Sequence, residues 1–225
     1  MAASTPIPIK PIEFKYQPIT IIGTTPLIVH AWSHKVMEEM LDKQRGKAKG
    51  GAKHDIKIPV NDFMESLYWL TDKPPLGNND KEAEENWISA VESGAKFGFP
   101  VTGIKQSIAS GAYRAGITKD KVSIFGAFYL EGSTECSTTD IAEVVADAPV
   151  MRQDMVRVGN GAADIRFRPE FERWEIPVML KYNAKGQYSL EQLLNLINYG
   201  GFSVGIGEWR PEKKGQFGMY QLKTD

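Results

Sequence analysis

The sequence has one cysteine, Cys136, and three histidines, His30, His34 and His54. A lone cysteine excludes an internal disulfide and fits a reducing compartment. No cysteine cluster accompanies the histidines, so a four-ligand zinc site has too few ligands to draw on. His30 and His34 are four apart, but Ala31-Trp32-Ser33 reads as a helix start, which argues against one shared face. No apolar run approaches the ~18 residues that a membrane span needs. Pro6, Pro8 and Pro11 break any signal-peptide hydrophobic region at the N-terminus. Nucleotide fingerprints are also missing. Gly205-Ile-Gly207-Glu-Trp-Arg210 lacks the third glycine of a dinucleotide turn, and Gly215 is followed by Gln216 where a phosphate loop needs lysine. No two carboxylates read as a catalytic pair, and Cys136, in STECSTTD, has no histidine beside it. These absences point to a cytoplasmic protein that is not an enzyme, uses no cofactor or metal and has no membrane partner.

What is present is charge, unevenly spread. The formal net charge is −1. Between residues 43 and 57, Lys43, Arg45, Lys47, Lys49, Lys53 and Lys57 face only Asp55. Residues 72–92 are acidic, as are Glu131, Glu135, Asp140, Glu143 and Asp147. The basic run is interleaved with glycine and alanine and has no apolar anchor. It is expected to be a mobile loop that conforms to a phosphate chain.

The pattern of elements points to an α+β fold with an antiparallel sheet. Ile19–Ile22 reads as a buried strand before a Gly-Thr-Thr-Pro turn. Ser33 can cap a helix to about Arg45, with Val36, Met37, Met40 and Leu41 as one apolar stripe. Asn61 can cap a short helix, DFMESLYWL, which opens a helical insertion over about 61–96. Phe97–Val101 reads as extended. Thr102–Ala115 reads as a slim helix with Ile104, Ile108, Ala112 and Ala115 on one face and Lys105 and Arg114 on the other. Val122–Leu130 and Pro177–Tyr182 read as strands. Ser189 and Gln192 form a capping box ahead of Leu190, Leu193, Leu194 and Ile197, with Gly200 as the helix stop and a strand–loop–strand hairpin after it.

Two further constellations carry chemistry. Arg152, Arg157, Arg166, Arg168 and Arg173 flank a Gly-Asn-Gly turn, and a planar guanidinium suits phosphates and bases. Asp154, Asp164, Glu170 and Glu172 share that segment, so internal ion pairs compete for the same arginines. Alternation puts Arg166 and Arg168 on one side of a strand and Phe167 on the other. Trp209, Arg210, Lys213 and Lys214 sit in the glycine-rich GGFSVGIGEWRPEKKGQFGMY, where a ring can stack on bases and cations can hold phosphates.

FPVTGIKQSIASGAYRAG resembles the helix start of the RAMP superfamily, whose members build the backbones of CRISPR effector complexes. The match runs through Pro100, Lys105 and Arg114, with Gly103 one place off. LLNLINYGGFSVGIGEWRPEKKGQFGMYQL is similar to that superfamily's C-terminal helix and glycine-rich hairpin, and IIGTTPLIVH to its first strand and turn. DMVRVGNGAADIRFRPEF and the GIGEWRPEKKGQFG stretch also resemble segments of phage and prophage proteins. The RAMP resemblance implies a ferredoxin-like (RRM-type) core in a single domain, an arginine-bearing hairpin, and head-to-tail assembly along a single strand read through its backbone. The sequence departs in having no histidine placed like the base of RNA-processing members. Some members cleave RNA with a loop aspartate, for which only Asp42 and Asp55 stand nearby.

The expected function is therefore sequence-independent binding of single-stranded DNA or RNA by a homo-oligomer or filament, in phage replication or recombination. The expected contacts are Lys43, Arg45, Lys47, Lys49, Lys53, Lys105, Arg114, Arg152, Arg157, Arg166, Arg168, Trp209, Arg210, Lys213 and Lys214. An aspartate-dependent endoribonuclease and a phage structural protein without nucleic-acid affinity are the alternatives.

Overall fold

The computed structural model describes residues 11–46, 57–158 and 161–224. In chain order the elements are β1 (Phe14–Gly23), β2 (Leu27–Ile28), α1 (His34–Gln44), α2 (Pro59–Glu65), β3 (Tyr68–Trp69), α3 (Asp80–Glu92), β4 (Phe97–Pro100), α4 (Val101–Arg114) and α5 (Lys121–Phe125). They continue with β5 (Phe128–Gly132), β6 (Ile141–Glu143), β7 (Val145–Ala146), β8 (Val150–Val158), β9 (Ala162–Phe171), β10 (Trp174–Asn183), α6 (Leu190–Ser203), a 3₁₀ turn (Pro211–Lys213) and β11 (Tyr220–Leu222). The fold is α+β. Among the described residues, no helix is long and apolar enough to cross a membrane.

The main sheet runs β11–β1–β10–β5, every neighbour antiparallel, with β7 pairing the start of β10. Strict alternation builds its inner face. Trp174, Ile176, Val178, Leu180 and Tyr182 of β10 are buried, while the residues between them are half-exposed. Ile19 lies opposite Val178 and Ile21 opposite Ile176 on the same side. Ile104, Ile108 and Ala112 of α4 and Leu193, Leu196 and Ile197 of α6 join these residues in one core. The chain thus runs β1–α4–β5–β10–α6–β11 through the core, with the other elements inserted between.

Small residues let the two core helices meet backbone to backbone. A Cβ on Gly111 would lie 2.7 Å from the Gly200 backbone. Ser107 Oγ donates to Gly200 O at 3.0 Å and accepts from the buried Tyr220 hydroxyl at 3.1 Å. The slimness of α4 serves this helix contact. Gly200 accordingly lies inside α6, which runs to Ser203, instead of stopping it.

Two small sheets flank the core, β2–β9–β8 and β3–β4–β6. Rings from α2, α3, β3, β4 and β9 join them: Phe63–Trp87 centroids lie 4.8 Å apart and Trp69–Phe97 5.0 Å, both edge to face, and Phe97 meets Phe171 of β9 at 6.1 Å, tilted. Ser33 and Ser189 cap α1 and α6 as their positions imply, and both bonds of the Ser189–Gln192 box are made.

Four local expectations change. β1 begins at Phe14, five residues before the apolar run, because β10 pairs along its whole length. Asn61 lies within α2 and clamps Gly77 through both its side-chain oxygen and nitrogen. Asp120 accepts from Ser123 N at 2.8 Å, so residues 121–125 coil into a helix before β5. Residues 204–219 form a folded loop with a 3₁₀ turn in place of a hairpin.

Candidate nucleic-acid interface

The glycine-rich loop is the hub. It is held to β2 by Glu208 N to Ile28 O at 2.8 Å and to the β1–β2 connection by Gly218 N to Pro26 O at 2.7 Å. Gly207 adopts φ 75°, and a Cβ there would meet Ile28 O at 2.3 Å, so the close approach requires glycine. Around this loop the structure gathers several of the expected contact residues, by ion pairing. Arg210 donates to Gly207 O at 2.8 Å and pairs with Glu212 at 2.8 Å. Arg114, at the end of α4, shares Glu212 at 3.4 Å and donates to Ser203 O. Glu212 is held below the usual carboxylate range: these arginines outweigh its partial burial, which alone would raise it.

The arginine-rich β8–β9 pair packs its base against the same loop. Arg152 lies opposite Arg168, and Asp154 opposite Arg166. Arg152 pairs with Asp154 at 2.9 Å and with Glu170, and its guanidinium stacks over Phe217 at 4.8 Å. Arg168 is 3% exposed, reaches Asp154 at 3.4 Å and Glu208 at 3.7 Å, and leaves Nε without a partner. The competing acids have taken these arginines. Arg166 is half-buried beside Asp164, and exposed Arg157 has no partner among the described residues.

Lys43 and Arg45 are exposed at the end of α1, whose helix already covers the first part of the expected loop. Lys47, Lys49 and Lys53, like Asp55, lie outside the described residues. Lys105 stands apart from the hub, its ammonium 4.1 Å over the ring of Tyr129, and burial lowers its pKa. Trp209, Lys213 and Lys214 are exposed on the loop. Trp209 and Lys214 adopt φ 50° and 65°, the only positive-φ residues other than glycine among those described.

Two features were not anticipated. A cleft of about 470 Å³ lies between the loop, α1 and β9, with His30 and Glu208 in its wall. Burial, then the charge of Arg168, holds His30 below the usual imidazole range. Asp62, Glu65, Asp164 and Glu208 outnumber Lys57 and Arg166 there, so the cleft repels a polyanion. Among the described residues no cluster of three or more histidine, cysteine or acidic side chains could hold a metal. The second feature is the outer sheet face, where Phe14, Tyr16 and Tyr129 are 55%, 56% and 52% exposed. The alternation Phe14–Tyr16–Pro18 signals it once β1 is started at Phe14.

No protein-family model matches the chain, and no curated protein matches it. Among solved structures it is similar to Cmr6 from Pyrococcus furiosus, at 12% identity and a TM-score of 0.37, over 94% of this chain and 98% of that one. The likeness is loose.

Proposed function

We propose that the protein is a non-enzymatic binder of single-stranded nucleic acid, contacting the backbone without sequence preference and assembling as an oligomer, on a ferredoxin-like core. The strand order β11–β1–β10–β5 with α4 and α6 as crossovers supports that core. The observation that carries the binding reading is the 209–214 loop. A left-handed backbone costs a residue other than glycine about 1–2 kcal/mol. This loop accepts that cost twice, at Trp209 and Lys214, while its neighbours at 205, 207 and 218 are glycine. A loop that merely closed the fold would use glycine at these positions too. The side chains retained are an exposed indole, which stacks on any base, and exposed ammonium groups, which hold phosphates. The paired arginines beneath hold the loop and hairpin in place.

Size-exclusion chromatography with and without oligothymidylate or oligouridylate tests the reading. Co-elution with single strands, into larger species than the protein alone, is expected. A protein that elutes unchanged beside every oligonucleotide at low salt overturns it.

A further inference from the structure

The outer face of the main sheet is a row of rings and cations that the loop-centred reading does not use. In β1, β10 and β5, Tyr16 lies directly opposite Lys181, and Lys181 directly opposite Tyr129. Directly opposed residues of antiparallel strands share a face, so Tyr16, Lys181 and Tyr129 form one line across three strands. Phe14 lies two residues along β1 on the same side, and Pro18, Met179 and Glu131 form the next row. The Lys181 ammonium stands 5.0 Å from the Phe14 ring centroid and 5.4 Å from that of Tyr16. Lys105 reaches round from α4 to cover Tyr129. No described element packs on this part of the sheet, since α4 and α6 both cover the opposite face.

We infer that this face is a second strand-binding surface, on which bases of a single-stranded nucleic acid stack on Phe14, Tyr16 and Tyr129 while Lys181 and Lys105 turn to the phosphates. In the free protein each ammonium occupies a ring face. An arriving base takes the ring, and the displaced ammonium meets the phosphate that comes with it. An apolar protein partner would use the rings and leave the lysines buried and unpaired, which the alternation of ring and cation disfavours. The inference rests on the proposed nucleic-acid binding and names a site for it remote from the 209–214 loop.

Tyr16→Ala and Tyr129→Ala, both at exposed positions, should keep the wild-type Tm while each weakens binding of labelled oligothymidylate or oligouridylate about ten-fold. Loss of a ring removes stacking but no charge, so the slope of log affinity against log salt should not change. Lys181→Met should flatten that slope by about 0.7. Photocrosslinking with 5-iodouracil-substituted strands should map to peptides containing Phe14, Tyr16 and Tyr129. Wild-type binding with unchanged affinity in both tyrosine variants, and crosslinks confined to the 209–217 loop, would overturn the second surface alone. Absence of any wild-type binding would overturn the functional reading beneath it. Tyrosine variants that break an oligomer of the free protein without changing oligonucleotide affinity would assign the face to a second copy and overturn the inference.

Discussion

On the proposed reading, Arg168 braces the candidate interface and does not touch the nucleic acid. Its side chain is 4% exposed and bridges Asp154 in the hairpin to Glu208 in the glycine-rich loop. Replacing it with methionine keeps the bulk of the stem and removes both ion pairs. Stranding a buried charge costs about 3–5 kcal/mol, but neither acid is stranded. Asp154 keeps Arg152 at 2.9 Å, and Glu208 is 42% exposed and rehydrates. The loss is then nearer that of charge-assisted hydrogen bonds, about 1.5–3 kcal/mol. Removing a buried Nε that has no partner offsets part of it, which leaves a destabilisation of about 1–2 kcal/mol. At about 2–4 °C per kcal/mol for a chain of this size, Tm should fall roughly 2–8 °C by calorimetry. Oligonucleotide affinity, measured by anisotropy well below that Tm, should change less than about two-fold, since no contact is removed and only about 0.4 kcal/mol is at issue. An unchanged Tm with strongly weakened binding would refute the reasoning and place Arg168 on the ligand.

Other consequences are as specific. Trp209→Gly should weaken binding about ten-fold through lost stacking, read by anisotropy; Lys214→Gly, at an exposed position with φ 65°, should raise stability by about 1 kcal/mol by relieving the left-handed backbone, read by calorimetry. Gly111→Ala places a Cβ 2.7 Å from the Gly200 backbone and should destabilise the protein by about 1–3 kcal/mol in chemical denaturation. His30 has a folded pKa below the ordinary value near 6.5 because of burial and Arg168, so the unfolded chain takes up its proton first as pH falls. Stability should be at its full value above about pH 6.5 and decline below it, and His30→Gln should flatten a Tm series between about pH 7 and 5.5.

The core was legible where one pattern had one reading. Ser189 with Gln192 followed by leucines at helical spacing allows little but a capped helix. Alternation in residues 177–182 marked β10, although its pairing with β1 extends it to Trp174–Asn183. Glycine misled, because the same residue ends helices and lets helices touch. Gly200 does the second, and only its long-range neighbours Ile108 and Gly111 decide that. Residues 122–125 misled because Asp120 caps a helix through a bond to Ser123 that the apolar alternation does not announce.

For the candidate site, charge counts exposed the cations but not their partners. Arg152 and Arg168 look equivalent to Arg157 along the chain. The β8–β9 register then places Asp154 and Glu170 among the first two and leaves Arg157 exposed. The backbone strain at Trp209 and Lys214 is invisible in sequence, since neither residue type signals a left-handed conformation. The aromatic sheet face needed a strand start five residues earlier than hydrophobicity suggests, because the rings that define it are exposed.

A salt series on oligothymidylate binding by the wild type and by the Lys213→Gln, Lys214→Gln double variant tests the central claim most directly. Each phosphate contact on a single strand contributes about −0.7 to the log–log slope, so the wild type should bind with a clearly negative slope and the variant with one shallower by about 1.4. Binding that is absent at low salt, or a slope identical in the two proteins, would contradict the account.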